Sequence, residues 1–224
     1  MRFELLAGLL ALTCVGACAN ATPREQEIAE CRPGEIATWA DGRDRPALGK
    51  PLVFVYWDSG APTWFSSAQV MELLKRSSQA WAGCGIESRV SALLGNAPLP
   101  AGAVVVQWSE AGSRGNFGLA NLGQRTLALS PAMFQLLRTR NPSYPAEQTL
   151  QMVVSHEMGH FFGLMAHSRR CIDVTSYYTD GKGGNCYARD RSQLKTVVEY
   201  RSILPTACDI QRCRIANGLP VNAP

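Results

Sequence analysis

The sequence predicts an α+β fold, a twisted mixed sheet that supports one long histidine-bearing helix and a C-terminal helix. Three observations predict it. Short β-branched and aromatic runs recur between residues 51 and 129. A helical stripe falls between the first two runs, at 65–82. An apolar helix follows them all and carries His156 and His160 four residues apart.

The elements follow in order. Residues 19–50 are polar, with Pro and Gly, and read as an extended lead-in. Residues 51–58 form a strand of Val, Phe, Tyr and Trp, broken at Ser59–Thr63. A helix follows from Phe65 to Ala82, capped by Ser66 or Ser67. Val70, Leu73, Leu74 and Trp81 lie on its core face, and Gly83–Gly85 ends it. Strands are expected at 86–94 and 103–108. Residues 110–123 read as a glycine-rich loop that runs into an irregular strand at 116–121. Another strand spans 124–129, stopped by Ser130-Pro131, and 133–138 suits a short helical turn. The long helix starts near Ala146 and ends at Gly163. Residues 172–178 form a compact segment, and 180–185 a plain turn without the alternating carboxylates of a calcium loop. A last helix is expected at 188–203, with Leu194, Val197, Val198 and Ile203 inward, and an irregular tail from Pro205.

At 224 residues the chain suits one domain, at 51–204, followed by a disulfide-stapled tail at 205–224. The net charge of +4 is small, and Lys and Arg are scattered. The five Trp are not interleaved with basic residues, which argues against a nucleic-acid partner. Residues 1–18 read as a signal peptide, with Arg2 before an apolar run from Leu5 to Ala17. Val15-Gly16-Ala17-Cys18 suits a bacterial lipobox, which would lipidate Cys18 and anchor the chain to a membrane. Cleavage after Ala19 would instead release a secreted or periplasmic protein. Both readings place the chain outside the cytoplasm. Six cysteines remain: Cys31, Cys84, Cys171, Cys186, Cys208 and Cys213. An even number in an exported chain implies disulfides. Short loops favour Cys171–Cys186 and Cys208–Cys213, which leaves Cys31–Cys84. A rival use of Cys31, as an inhibitory thiolate on a metal, would orphan Cys84.

All three histidines lie within residues 156–167. His156 and His160 share one helix face, so both imidazoles can reach one metal ion. Glu157 can touch a water on that metal. Gly163 can stop the helix in a left-handed conformation and return His167 as a third ligand. This stretch resembles the metzincin zinc endopeptidases, whose pattern is H-E-x-x-H-x-x-G-x-x-H before a methionine turn, and the small matrixin-like members above all. Two departures stand out. Ala166 occupies the usual third-His position, and His167 lies one residue on. In the methionine turn, residues 173–178 carry Thr175 where the family has Met. Thr175 nevertheless lies eight residues after His167, the usual register. His167 is the expected third ligand, with Asp173 or a water as rivals.

The resemblance implies one catalytic Zn²⁺ and a protein or peptide substrate. Glu157 would be the general base, and Tyr177 a donor beside the metal. The substrate would lie along an exposed strand at Asn116, Phe117, Gly118, Leu119 and Ala120. Residues 171–180 would wall the pocket on the leaving-group side. Two other readings stay open. One is a catalytically impaired metzincin-like binding or structural protein of the cell envelope. The other is an amidase acting on cell-wall peptides.

Overall fold

The computed structural model describes residues 21–95 and 97–221. The architecture is mixed α+β, with a five-stranded sheet and, among the described residues, six α-helices. The strands are β1 (Leu52–Trp57), β2 (Ser88–Ala92), β3 (Val104–Trp108), β4 (Gly118–Asn121) and β5 (Thr126–Leu129). Their spatial order is β2-β1-β3-β5-β4. Every neighbouring pair is parallel except β4 with β5, so β4 is an antiparallel edge strand.

Helix α2 (Ser67–Trp81) connects β1 to β2, and Ser66 caps it through a reciprocal bond with Gln69. Helix α5 (Ala146–Phe161) packs beside it. Their contact is partly polar. Trp81 Nε1 donates to the Ser155 carbonyl at 3.0 Å, and Gln151 Nε2 to Ser77 Oγ at 2.6 Å. Phe54 of β1 meets Phe161 edge-on and Phe162 in a stack, which ties the end of α5 to the centre of the sheet. The aromatic contacts therefore fix where α5 ends relative to the strands.

Several expectations need correcting. The lead-in opens with a helix, α1 (Pro23–Ala29), capped by Thr22 and Glu25 with Pro23 in its first turn. The glycine-rich loop contains one helical turn, α3 (Glu110–Ser113), capped by Ser109. The expected turn at 133–138 is a full helix, α4 (Pro131–Arg140). Ser130 caps it, so the Ser-Pro pair starts a helix as well as ending a strand.

The expected helix at 188–203 is a 3₁₀ turn at Arg191–Lys195 only. Of its supposed apolar face, Val197 and Val198 are exposed, Val198 by 80 %, and only Leu194 and Ile203 pack, half-buried, against the core. Beyond it the chain is tied down at single points. The Tyr200 hydroxyl donates to Glu27, and the Ser202 amide to the Ile172 carbonyl. The C-terminal helix lies later, in the supposedly irregular tail: α6 (Ala207–Ala216), capped by Thr206 and Asp209.

That helix also overturns two disulfides. The bridges are Cys31–Cys208, Cys84–Cys213 and Cys171–Cys186, so only the last matches the short-loop expectation. Cys208 and Cys213 are five residues apart on α6. They are separated by about 7.5 Å along its axis and point in different directions, too far for a bridge. The thiolate use of Cys31 fails with it, because its sulfur is bonded to Cys208.

Candidate metal centre

Helix α5 supplies His156, Glu157 and His160, all on buried turns or nearly so. It ends where Gly163 takes φ 110°, and a Cβ there would collide with the Arg45 carbonyl. The chain then returns and brings His167 beside the other two. The three rings are mutually 5.2 Å apart by centroid. One nitrogen from each lies within 4.8 Å of the others.

Each ring's far nitrogen already has an acceptor. His156 Nδ1 lies 2.8 Å from the Val174 carbonyl, and His160 Nδ1 lies 2.6 Å from the Leu164 carbonyl. A carbonyl only accepts, so both Nδ1 atoms carry the proton and both Nε2 lone pairs are free. His167 Nδ1 lies 2.6 Å from Asp41 Oδ2. His167 Nε2 is buried without any hydrogen-bond partner. A buried, unpartnered acceptor beside two other free imidazole nitrogens could hold a divalent metal ion, and three neutral nitrogens are a donor set that suits zinc. The residues fit the ion.

The electrostatics agree. Burial and the neighbouring rings hold His156 well below the usual histidine range. Burial brings His160 down to about 4 and also lowers His167, against the pull of Asp41. All three are therefore neutral at pH 7, the form that ligates metal. Glu157 moves the other way, pushed up to about 7 by burial despite the bond it accepts from Ala120. Its carboxyl is thus poised near neutrality, where a group can both take and return a proton.

The edge strand faces this centre. Asn116, Phe117, Gly118, Leu119 and Ala120 line one cavity of about 400 Å³ together with Met152, the histidines, Glu157, Tyr177 and Arg201. The Ala120 amide donates to Glu157 Oε2 at 2.8 Å. A Cβ on Gly118 would sit 2.5 Å from Val153 and 3.0 Å from Glu157, so glycine lets β4 approach α5 this closely. Tyr177 stacks on His167 at 3.8 Å and is 44 % exposed at the cleft.

The two anomalous positions have distinct surroundings. Thr175 is buried against Gly159, and its hydroxyl donates to Asp209 at 2.6 Å. Asp173 stands apart from the histidine cluster. It accepts from Ser168 and Thr206 at 2.6 Å each and from Arg170 at 3.1 Å. The structure gathers His167 with the other two histidines and gives Asp173 to a separate network.

Residues 41–44, Asp209, Arg212 and Arg201 were not anticipated. Asp41 and Asp44 sit in a polar segment with no periodicity, more than 120 residues from the turn they hold. Asp180 accepts from the amides of Lys182 and Gly184, as a plain turn does. Cys18 lies outside the described residues.

No family model and no curated protein matches this chain. Among solved structures it aligns with one described as the GM1 bound form of the ECX AB5 holotoxin. The identity is 12 %, the TM-score 0.46, and the alignment covers 79 % of this chain and 87 % of that one.

Proposed function

We propose that the chain is a zinc-dependent endopeptidase of metzincin type, with His156, His160 and His167 as ligands and Glu157 as general base. One observation carries the reading. Three imidazoles turn their free nitrogens to one point, and a buried carboxylate and an open strand edge lie beside it. A structural metal site needs neither the carboxylate nor the cleft.

When bound, zinc supplies a Lewis acid and makes water nucleophilic near neutral pH. The chain's own groups do the rest. An extended substrate pairs with the free edge of β4, main chain to main chain. Glu157 takes a proton from the attacking water as the new C–O bond forms. It delivers that proton to the departing amine as the C–N bond breaks. Tyr177, stacked on His167, donates to the oxygen that gains charge.

Three disulfides fit an oxidising compartment, in keeping with an exported protein or lipoprotein. Among the described residues no helix is long and apolar enough to cross a membrane.

Metal analysis together with cleavage of a peptide library tests the reading. Wild type should hold one zinc per chain and cut peptides. Glu157→Gln should keep the zinc and lose activity by a factor of about 10² or more. A wild type that binds zinc but cuts nothing would instead be a binding or structural protein.

A further inference from the structure

The turn after Gly163 is one residue longer than the H-E-x-x-H-x-x-G-x-x-H spacing. Three consecutive amides, of Met165, Ala166 and His167, therefore lie beyond α5 without helical partners. Two carboxylates from a distant segment take all three. Asp44 Oδ1 accepts from Met165 at 2.8 Å and from Ala166 at 3.1 Å. Asp41 Oδ1 accepts from the His167 amide at 2.9 Å, while its Oδ2 faces His167 Nδ1 at 2.6 Å.

The fit is continuous along the segment. The Trp39 amide donates to the His167 carbonyl, and the Arg45 amide to the Gly163 carbonyl, both at 3.0 Å. Between them Gly42 lies so close to the turn that a Cβ would be 2.7 Å from the Met165 carbonyl carbon. Arg212 of α6 locks the arrangement from outside. It grips Asp44 at 2.6 and 3.0 Å and also donates to the Ala166 carbonyl.

We propose that residues 39–45 form a clasp that positions the third metal ligand, with Asp41 as the residue that fixes the His167 tautomer and aims its Nε2 at the metal. The inference rests on the zinc reading of the centre. Metal binding is then not a property of the helix and its turn alone. It requires a segment from the other end of the chain to be docked.

The test uses the full chain. Zinc affinity is measured by competition with a chelator for wild type, Asp41→Ala, Asp41→Asn, His167→Ala and the double variant. Asp41→Ala should weaken zinc about 10–100-fold, as loss of such a partner to a ligand does. Asp41→Asn keeps one acceptor oxygen where two are used, by the His167 amide and by Nδ1–H, so it should also weaken zinc. In the His167→Ala background, Asp41→Ala should change nothing further. An Asp41→Ala affinity within twofold of wild type, or an equal loss in both backgrounds, overturns the proposal. A second measurement needs no metal. Nitrogen-resolved imidazole spectra of the zinc-free chain should show His167 as the Nδ1–H tautomer in wild type and as a mixture in Asp41→Ala. If wild type binds no zinc, the zinc reading fails, and unchanged spectra in Asp41→Ala would then sink the clasp as well.

Discussion

Glu157 and His160 sit one turn apart with opposite responses to burial. Without metal, burial pushes the Glu157 carboxyl up to about 7, against 4.5 when unfolded. Its contribution to stability is complete below the unfolded value and is lost as pH rises through the folded one. His160 falls to about 4 from 6.5, so its contribution is present above 6.5 and lost as pH falls towards the folded value. Glu157→Gln removes only the first effect. The variant should gain stability over wild type, by on the order of 3 kcal/mol, as pH rises from below 4.5 to above 7. Urea unfolding in chelator at the two ends of that range checks it, and an unchanged gap would refute it. This residue set was legible in the sequence because a helix turns the spacing of His156 and His160 into a shared face. Asp41 was not, because a carboxylate that meets a histidine more than 120 residues away leaves no local pattern.

At the scale of elements, the segment carrying Thr175 and helix α6 are one construction. The Thr175 hydroxyl donates to Asp209. That carboxylate also accepts from the Val174 amide at 2.9 Å and from the Thr206 amide at 3.0 Å. The Val174 carbonyl in turn accepts a hydrogen bond from His156 Nδ1–H. The segment around Thr175 is held to α6 by directed bonds. Thr175→Val keeps the volume and orphans one buried carboxylate lone pair, so it should cost about 1–3 kcal/mol. Zinc stoichiometry should stay at one. Chemical denaturation with metal analysis reads both, and a neutral stability change would mean that Asp209 does not need the hydroxyl. Helices α2 and α5 were readable because each buries an apolar stripe. α6 buries Asp209 and Arg212 as well as its two cysteines, so hydrophobic periodicity passes over it. Residues 188–203 err in the opposite sense. Their apolar spacing suits a helix, but Val197 and Val198 face solvent while Tyr200 and Ser202 are anchored at single points. Helix α1 carries a capping box at Thr22 but buries only Glu27, so no apolar stripe marks it in the sequence.

Across the whole molecule, the lead-in and the last helix embrace the sheet and the histidine cluster. Arg170 is fully buried between Glu27, Glu35 and Asp173, which joins α1 to the segment beside the cleft. The two long bridges join parts of the chain separated by 177 and 129 residues. Removing Cys84–Cys213 by paired serine substitution should cost about 2–5 kcal/mol, read as a lower urea midpoint under non-reducing conditions. Peptide mapping of the oxidised chain should recover Cys31 with Cys208. A Cys31–Cys84 peptide would contradict the fold. These long-range unions could not be read from cysteine spacing, which ranks pairs by nearness along the chain. The same connectivity sets a timetable for manufacture. A chain is made from its N-terminus, so Cys31 and Cys84 both exist well before their partners on α6. Until α6 emerges, those two can pair only with each other or with Cys171 and Cys186, and every such pairing is wrong. A catalyst that reshuffles disulfides should therefore raise the yield of correctly bridged protein over an oxidant alone.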